Sequence, residues 1–227
     1  MSDNQNEPYE PYQPVQKVPP PPQFVRVDRF AKQPLVTYII LGITVMVFLL
    51  QMLTQNILGI DLPVAYLAKH NGMILSGQFW RLITPILVHG SLPHIGFNMY
   101  ALYVFGRNLE LQYGHGRFFL LYILSGFAGN VVSFVMSSKP SVGASTAVFG
   151  LLVAQGVFIY RNKRFFGERA KPILTNIVFI LGINLLLGLN PMIDNWGHFG
   201  GLIGGLLFSW TAGPLWEMKT TSQEIRL

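Results

Sequence analysis

The stretch Gly143-Ala144-Ser145-Thr146-Ala147-Val148-Phe149-Gly150 opens an apolar run and sets one hydroxyl among residues of almost no bulk. Small residues beside a serine let a second helix approach closely, and in membrane helices such stretches are commonly packing sites. Whether Ser145 does more depends on where the other polar residues of the apolar segments fall.

The chain has 227 residues, of which 51% are hydrophobic and 11% charged. Soluble domains carry charge on about a quarter of their residues, so the composition reads as an all-α membrane protein. The net charge of +6 belongs to loop orientation and not to nucleic acid, because no basic patch interleaves with aromatic residues. With no cysteine there is no disulfide framework, no thiol nucleophile and no Cys-based metal site. The first long apolar run begins near Leu35, too late for a cleavable signal.

Crossing a hydrocarbon core of about 30 Å takes about 20 mostly apolar residues. Six runs approach that length: 35–53, 93 to about 114, 118–136, 143–160, 173–189 and 196 to about 216. The expected fold is therefore a six-transmembrane-helix bundle over 35–216. Residues 1–34 hold eight prolines and read as a disordered, proline-rich tail. Within it Phe24, Val25, Val27 and Phe30 alternate with Arg26, Arg29 and Lys32, which suits either the bilayer surface or a plain linker. Residues 217–227 form a short C-terminal tail. Of the 16 basic residues, 13 fall in the tails and in the second-to-third and fourth-to-fifth connections, leaving Lys69, Arg81 and Lys139 on the other side. This bias places both termini in the cytoplasm. The segment 54–92 then becomes a first outer loop too long to be a mere connector, and is expected to be structured.

In that orientation helices two, four and six all begin at the external face. His94 and Asn98 lie in the first turns of helix two, Ser145 in the first turn of helix four and His198 in the first turn of helix six, so three distant segments bring polar groups to one depth. His94 and Asn98, four apart, project from one face. His198, Gly201 and Gly205 share another, and their small neighbours admit a second backbone. If that backbone is helix four, with Gly143 and Gly150 seven apart, Ser145 and His198 can meet. An imidazole within about 3 Å of a serine hydroxyl can take its proton. The Ser145 backbone N–H and the His94 and Asn98 side chains can then hold an oxyanion. Asp194, one turn before His198, is either a helix cap or a third triad member. Phe149 either stacks on His198 or faces lipid.

These residues, in this order, resemble the rhomboid intramembrane serine proteases of bacterial type over about residues 35–216. The likeness is carried by Trp80-Arg81, by His89, His94 and Asn98 in the spacing H-x4-H-x3-N, and by Gly106, Glu110 and Gly114 as G-x3-E-x3-G. Gly143-x-Ser145 and His198-x2-Gly201-x3-Gly205 complete it. The resemblance implies the minimal six-helix form in the plasma membrane, with a Ser145–His198 dyad that needs no catalytic acid, no cofactor and no metal. It implies an oxyanion site built from the Ser145 amide, His94 and Asn98, with Phe149 packed on the dyad imidazole. His89 would hold the outer loop and a water path, and Trp80, Arg81 and Glu110 would support the fold. Helix five and the loop 190–195 would act as lateral gate and cap for a transmembrane protein substrate. The substrate would be cut in or near its membrane helix close to the outer face, where helix-weakening residues expose the bond, after a small residue such as Ala.

Two positions depart from the common pattern. Thr146 follows the nucleophile where glycine is usual, and is expected to sit beside the oxyanion site and narrow specificity. Gly197 precedes His198 where alanine is common. The rival reading is a catalytically silent rhomboid-like protein that binds membrane clients; such relatives typically lack the serine or the histidine, and this chain has both. A transporter would show internal repeats and polar groups at mid-depth, and a metalloprotease an H-E-x-x-H motif; the sequence has neither.

Overall fold

No charged side chain interrupts α1 (Leu35–Leu58), yet the residues it buries are mostly polar: Thr37, Ile40, Thr44, Gln51 and Thr54. They recur at helical spacing and form one inward stripe. Ile39, Ile43, Met46, Leu49, Leu50 and Leu53 point outward and are exposed. This inside-out pattern is stable only where the surroundings are as apolar as the side chains. The computed structural model describes residues 30–190 and 193–216. The expectations for the proline-rich tail up to residue 29 and for 217–227 lie outside them, as do residues 191 and 192 of the expected cap.

Short elements follow α1: α2 (Leu62–Leu67), α3 (Asn71–Leu75) and two 3-10 turns, Phe79–Leu82 and Thr84–Leu87. Next come α4 (Leu92–Ala101), a π-helical segment (Leu102–Gly106) and α5 (Arg107–Tyr113), and then α6 (His115–Met136) and α7 (Ser145–Arg161). After α8 (Lys163–Phe166) and a 3-10 turn come α9 (Ala170–Leu187) and α10 (Asn195–Ala212), the last helix among the described residues. Among the described residues three stretches, Leu35–Leu58, His115–Met136 and Lys163–Leu187, are long and apolar enough to cross a membrane, and Ser145–Arg161 is apolar but shorter.

The centre of the bundle is α6, α7 and α10, which pack most extensively on one another. Glycine makes this possible. On α10, a Cβ at Gly204 would stand 2.7 Å from the Ala128 Cβ of α6, and one at Gly205 would stand 2.5 Å from the Gly150 Cα of α7. A Cβ at Gly201 would run into the Thr146 carbonyl. Two glycine ridges thus seat α10 on two neighbours at backbone contact. The expected pairing of Gly143 with Gly150 on one helical face differs, because α7 begins only at Ser145 and Gly143 precedes it with φ +124°.

Glu110 of α5 is fully buried and closes the start of α1. Its carboxylate accepts from the amides of Val36 (2.8 Å) and Thr37 (2.7 Å) and from the Thr37 hydroxyl (2.6 Å). These amides are the donors a helix start leaves unpaired, and a carboxylate there also meets the positive end of the helix dipole. Just before α1, the amides of Phe30 and Ala31 donate to the Leu111 carbonyl, and Ala31 is buried.

The segment between α1 and α4 is held from within. Arg81 is buried and donates to the carbonyls of Ala68 (2.8 Å) and Ala65 (2.7 Å) and to Gln78 Oε1 (2.7 Å), which satisfies carbonyls at the end of α2. The Trp80 indole donates to the Tyr66 carbonyl. Gln51 of α1 grips the backbone of His89 on both sides, donating to its carbonyl (2.9 Å) and accepting from its amide (3.0 Å).

Candidate active site

Ser145 is the first residue of α7, where an amide has no carbonyl within its own helix to bond. His198 lies in the first turn of α10, which Asp194 caps by accepting from the Gly197 amide at 2.9 Å. Because the Gly201 and Gly205 ridge draws α10 onto α7, His198 Nε2 comes within 2.9 Å of Ser145 Oγ. The Phe149 ring lies one turn along α7 and stacks on the imidazole, with centroids 4.3 Å apart and planes 11° from parallel. Both rings are more than nine-tenths buried, so the imidazole is held in one plane against the hydroxyl.

Asp194 does not take the place of a third triad member. Its second carboxylate oxygen accepts from the Ser133 hydroxyl of α6 at 2.5 Å, while the first is used by the cap. His198 Nδ1 is buried without a partner among the described residues.

His94 and Asn98 stand on the wall opposite. Ser91 caps α4 by accepting from the His94 amide, and the Asn98 amide group donates to the His94 carbonyl at 2.9 Å, which leaves its second N–H free of that bond. Gly143 separates this wall from Ser145. A Cβ there would lie 2.6 Å from His94 Nε2 and 3.7 Å from Ser145 Oγ, and only a residue without one keeps the space between them open. The positive φ of Gly143 imposes the same choice.

His89 lies behind His94, its ring edge-on at 5.1 Å, and its Nε2 accepts the Ala144 amide at 3.3 Å. Burial, with the adjacent His94, pushes the His89 pKa down to about 4. A neutral imidazole is what that amide requires. The chain entering Ser145 is therefore anchored twice, here and through the Gly143 amide on the Pro85 carbonyl.

These groups line a cavity of about 1580 Å³ bounded by α4, α7, α9, α10 and the connection before α7, with His94, Asn98, Ser145, Phe149 and His198 on its walls. On α9 only Ala170 and Ile177 are buried, so that wall is the least embedded. Thr146 corrects one expectation. Its side chain does not line the cavity but is buried between α6 and α10, where a Cβ at Gly129 or Gly197 would meet it at 2.6 Å and 3.0 Å.

Three residues that the sequence reading passed over also matter: Gln51, which fixes His89, and Lys69 and Ser133, which meet beside Asp194. Lys69 carried the one available signal, as one of only three basic residues outside the tails and the two connections that hold the other 13.

A rhomboid domain matches residues 76–215. The chain is 41% identical over 174 residues to rhomboid protease GluP of Bacillus subtilis (strain 168), an alignment covering 76% of this chain and 34% of that protein. It is 33% identical over 172 residues to RHOMBOID-like protein 9, chloroplastic, of Arabidopsis thaliana, covering 75% and 40%. With YdcA of Bacillus subtilis (strain 168) it shares 34% identity over 195 residues, 82% of this chain and 94% of that one. The chain thus spans about a third of GluP and two fifths of the Arabidopsis protein. Matched over most of its helical body, the chain belongs to the rhomboid family and is a multi-pass membrane protein.

Proposed function

We propose that this chain is an intramembrane serine endopeptidase whose nucleophile is Ser145 and whose base is His198. The observation that carries this reading is the 2.9 Å contact between Ser145 Oγ and His198 Nε2 at the wall of a partly open cavity. In the bilayer, six helical segments cross with both termini cytoplasmic, and residues 35–216 form the protease domain between two tails. The outer loop then lies at the external face, with the site just beneath it.

The neutral imidazole of His198 takes the proton of Ser145 as Oγ bonds to the carbonyl carbon of the substrate. The negative oxygen that develops is held by the Ser145 amide and the side chains of His94 and Asn98. His198 returns its proton to the departing amine, the C–N bond breaks, and water attacks the acyl-serine by the same route in reverse. Phe149 keeps the ring in plane, so orientation comes from packing and not from a carboxylate. Substrates are transmembrane proteins that reach the cavity past α9, the least embedded wall. A peptide bond in an intact helix is shielded, so cleavage falls where Gly or Pro loosens the helix.

The test is reconstitution in liposomes with a single-span reporter carrying Ala before a Gly-containing segment. Native protein should release fragments ending at that Ala, and Ser145→Ala should release none. A reporter that stays bound and uncut by native protein would favour the silent client-binding reading.

A further inference from the structure

Lys69 is fully buried in the outer loop, and its ammonium does not serve the chemistry described above. Its Nζ donates to the carbonyls of Ser133 (3.2 Å), Ser137 (2.9 Å) and Lys139 (2.8 Å) and to the Ser133 hydroxyl (3.1 Å). Carbonyls at the end of α6 carry the negative end of its dipole, so a cation there is held by charge as well as by hydrogen bonds. Burial pulls Lys69 below the ordinary lysine pKa, and the nearby Asp194 carboxylate pulls it back up.

Two paths lead from this residue. Through its backbone, Lys69 pairs with Ser141 in both directions, at 3.0 Å and 3.2 Å, an isolated bridge that fixes the segment entering Ser145 four residues later. Through its side chain it binds the Ser133 hydroxyl, which donates to Asp194 Oδ2 at 2.5 Å. Asp194 in turn caps α10 and accepts the His198 amide on its own carbonyl at 3.1 Å.

We infer that Lys69 is a positioning residue shared by both members of the dyad, which sets the Ser145 segment through Ser141 and the His198 helix through Ser133 and Asp194. This rests on the dyad reading above. The outer loop thereby acts on the reaction without touching substrate. A hydroxyl and an imidazole react only when aligned, and a displacement of about 1 Å costs up to about a hundredfold in rate.

The experiment measures kcat and KM separately for reporter cleavage in liposomes, for native protein, Lys69→Met, Asp194→Asn and the double variant, with Ser133→Ala as the milder cut in the same path. Asn caps a helix as well as Asp does, so Asp194→Asn removes the charge and keeps the cap. We expect each of Lys69→Met and Asp194→Asn to lower kcat about tenfold with KM within about twofold, and the double variant to match the worse single one, because residues acting along one path do not add. Ser133→Ala should lower kcat by a few-fold in the same pattern. Unchanged kcat in Ser133→Ala, or a double variant showing the product of the two single losses, would overturn the inference. Should native protein cleave nothing, the dyad reading itself would fail, which is a separate outcome.

Discussion

A methyl group on residue 197 would meet the Asp194 carboxylate at 2.8 Å and Thr146 Cγ2 at 3.0 Å, so the Thr146 side chain fills part of the space it would need. Thr146 and Gly197, the two residues that the sequence reading set apart from the common pattern, are thus neighbours. The bulk of Thr146, next to Ser145, is taken up between α6 and α10, out of the cavity. Gly197→Ala should destabilise the protein by about 1–3 kcal/mol through overpacking, and Thr146→Gly added to it should recover the part of that loss that Thr146 causes, leaving the Asp194 contact. Thermal unfolding of the two singles and the double in one detergent measures the coupling, and strictly additive shifts would count against it.

Glu110 is predicted to matter for folding and not for chemistry. Removing its carboxylate leaves the Val36 and Thr37 amides unpaired at the start of α1. Stranding buried donors and a charge site of this kind costs about 3 kcal/mol. Glu110→Ala should therefore lower the Tm and the yield, while the molecules that remain folded cleave the reporter at the native rate.

The wall facing Ser145 should act on turnover. On the proposed mechanism His94→Ala removes one donor to the oxyanion, and it is expected to lower kcat by about 10² to 10³ with little change in KM. Gly143→Ala fills the gap between His94 and Ser145 and forces a positive φ on alanine, so its loss should be at least as large. A KM effect without a kcat effect in either variant would place these residues in substrate binding instead.

Stability should fall in mild acid. His89 takes a proton near pH 4 when folded and near 6.5 when free, the difference arising from burial and from His94. As pH drops the unfolded chain gains the proton first, so stability present above about 6.5 drains away toward about 4. Gln in place of His89 can still accept the Ala144 amide without titrating, so His89→Gln should flatten that part of the Tm profile.

Much of this molecule could be read from spacing alone. His94 and Asn98 four apart, Ser145 at the head of a small-residue run, and His198 ahead of Gly201 and Gly205 all declare helical faces, and helical faces are what sequence periodicity encodes. Less legible was whatever depends on contacts between segments far apart in the chain. Asp194 reads as a helix cap with a triad role still open until Ser133, 61 residues earlier, is seen to occupy its other oxygen. The side chain of Thr146 has no direction until Gly129 and Gly197 open a notch for it. The polar stripe of α1 was hidden for a different reason: Thr37, Thr44 and Gln51 are too few to interrupt an apolar run, yet they form its buried face.

The most direct measurement is covalent labelling of the purified protein with a serine-directed fluorophosphonate, with the modified residue located by mass spectrometry. We expect one adduct, on Ser145, lost in Ser145→Ala and strongly slowed in His198→Ala. An adduct that persists without Ser145, or a rate indifferent to His198, would contradict the account.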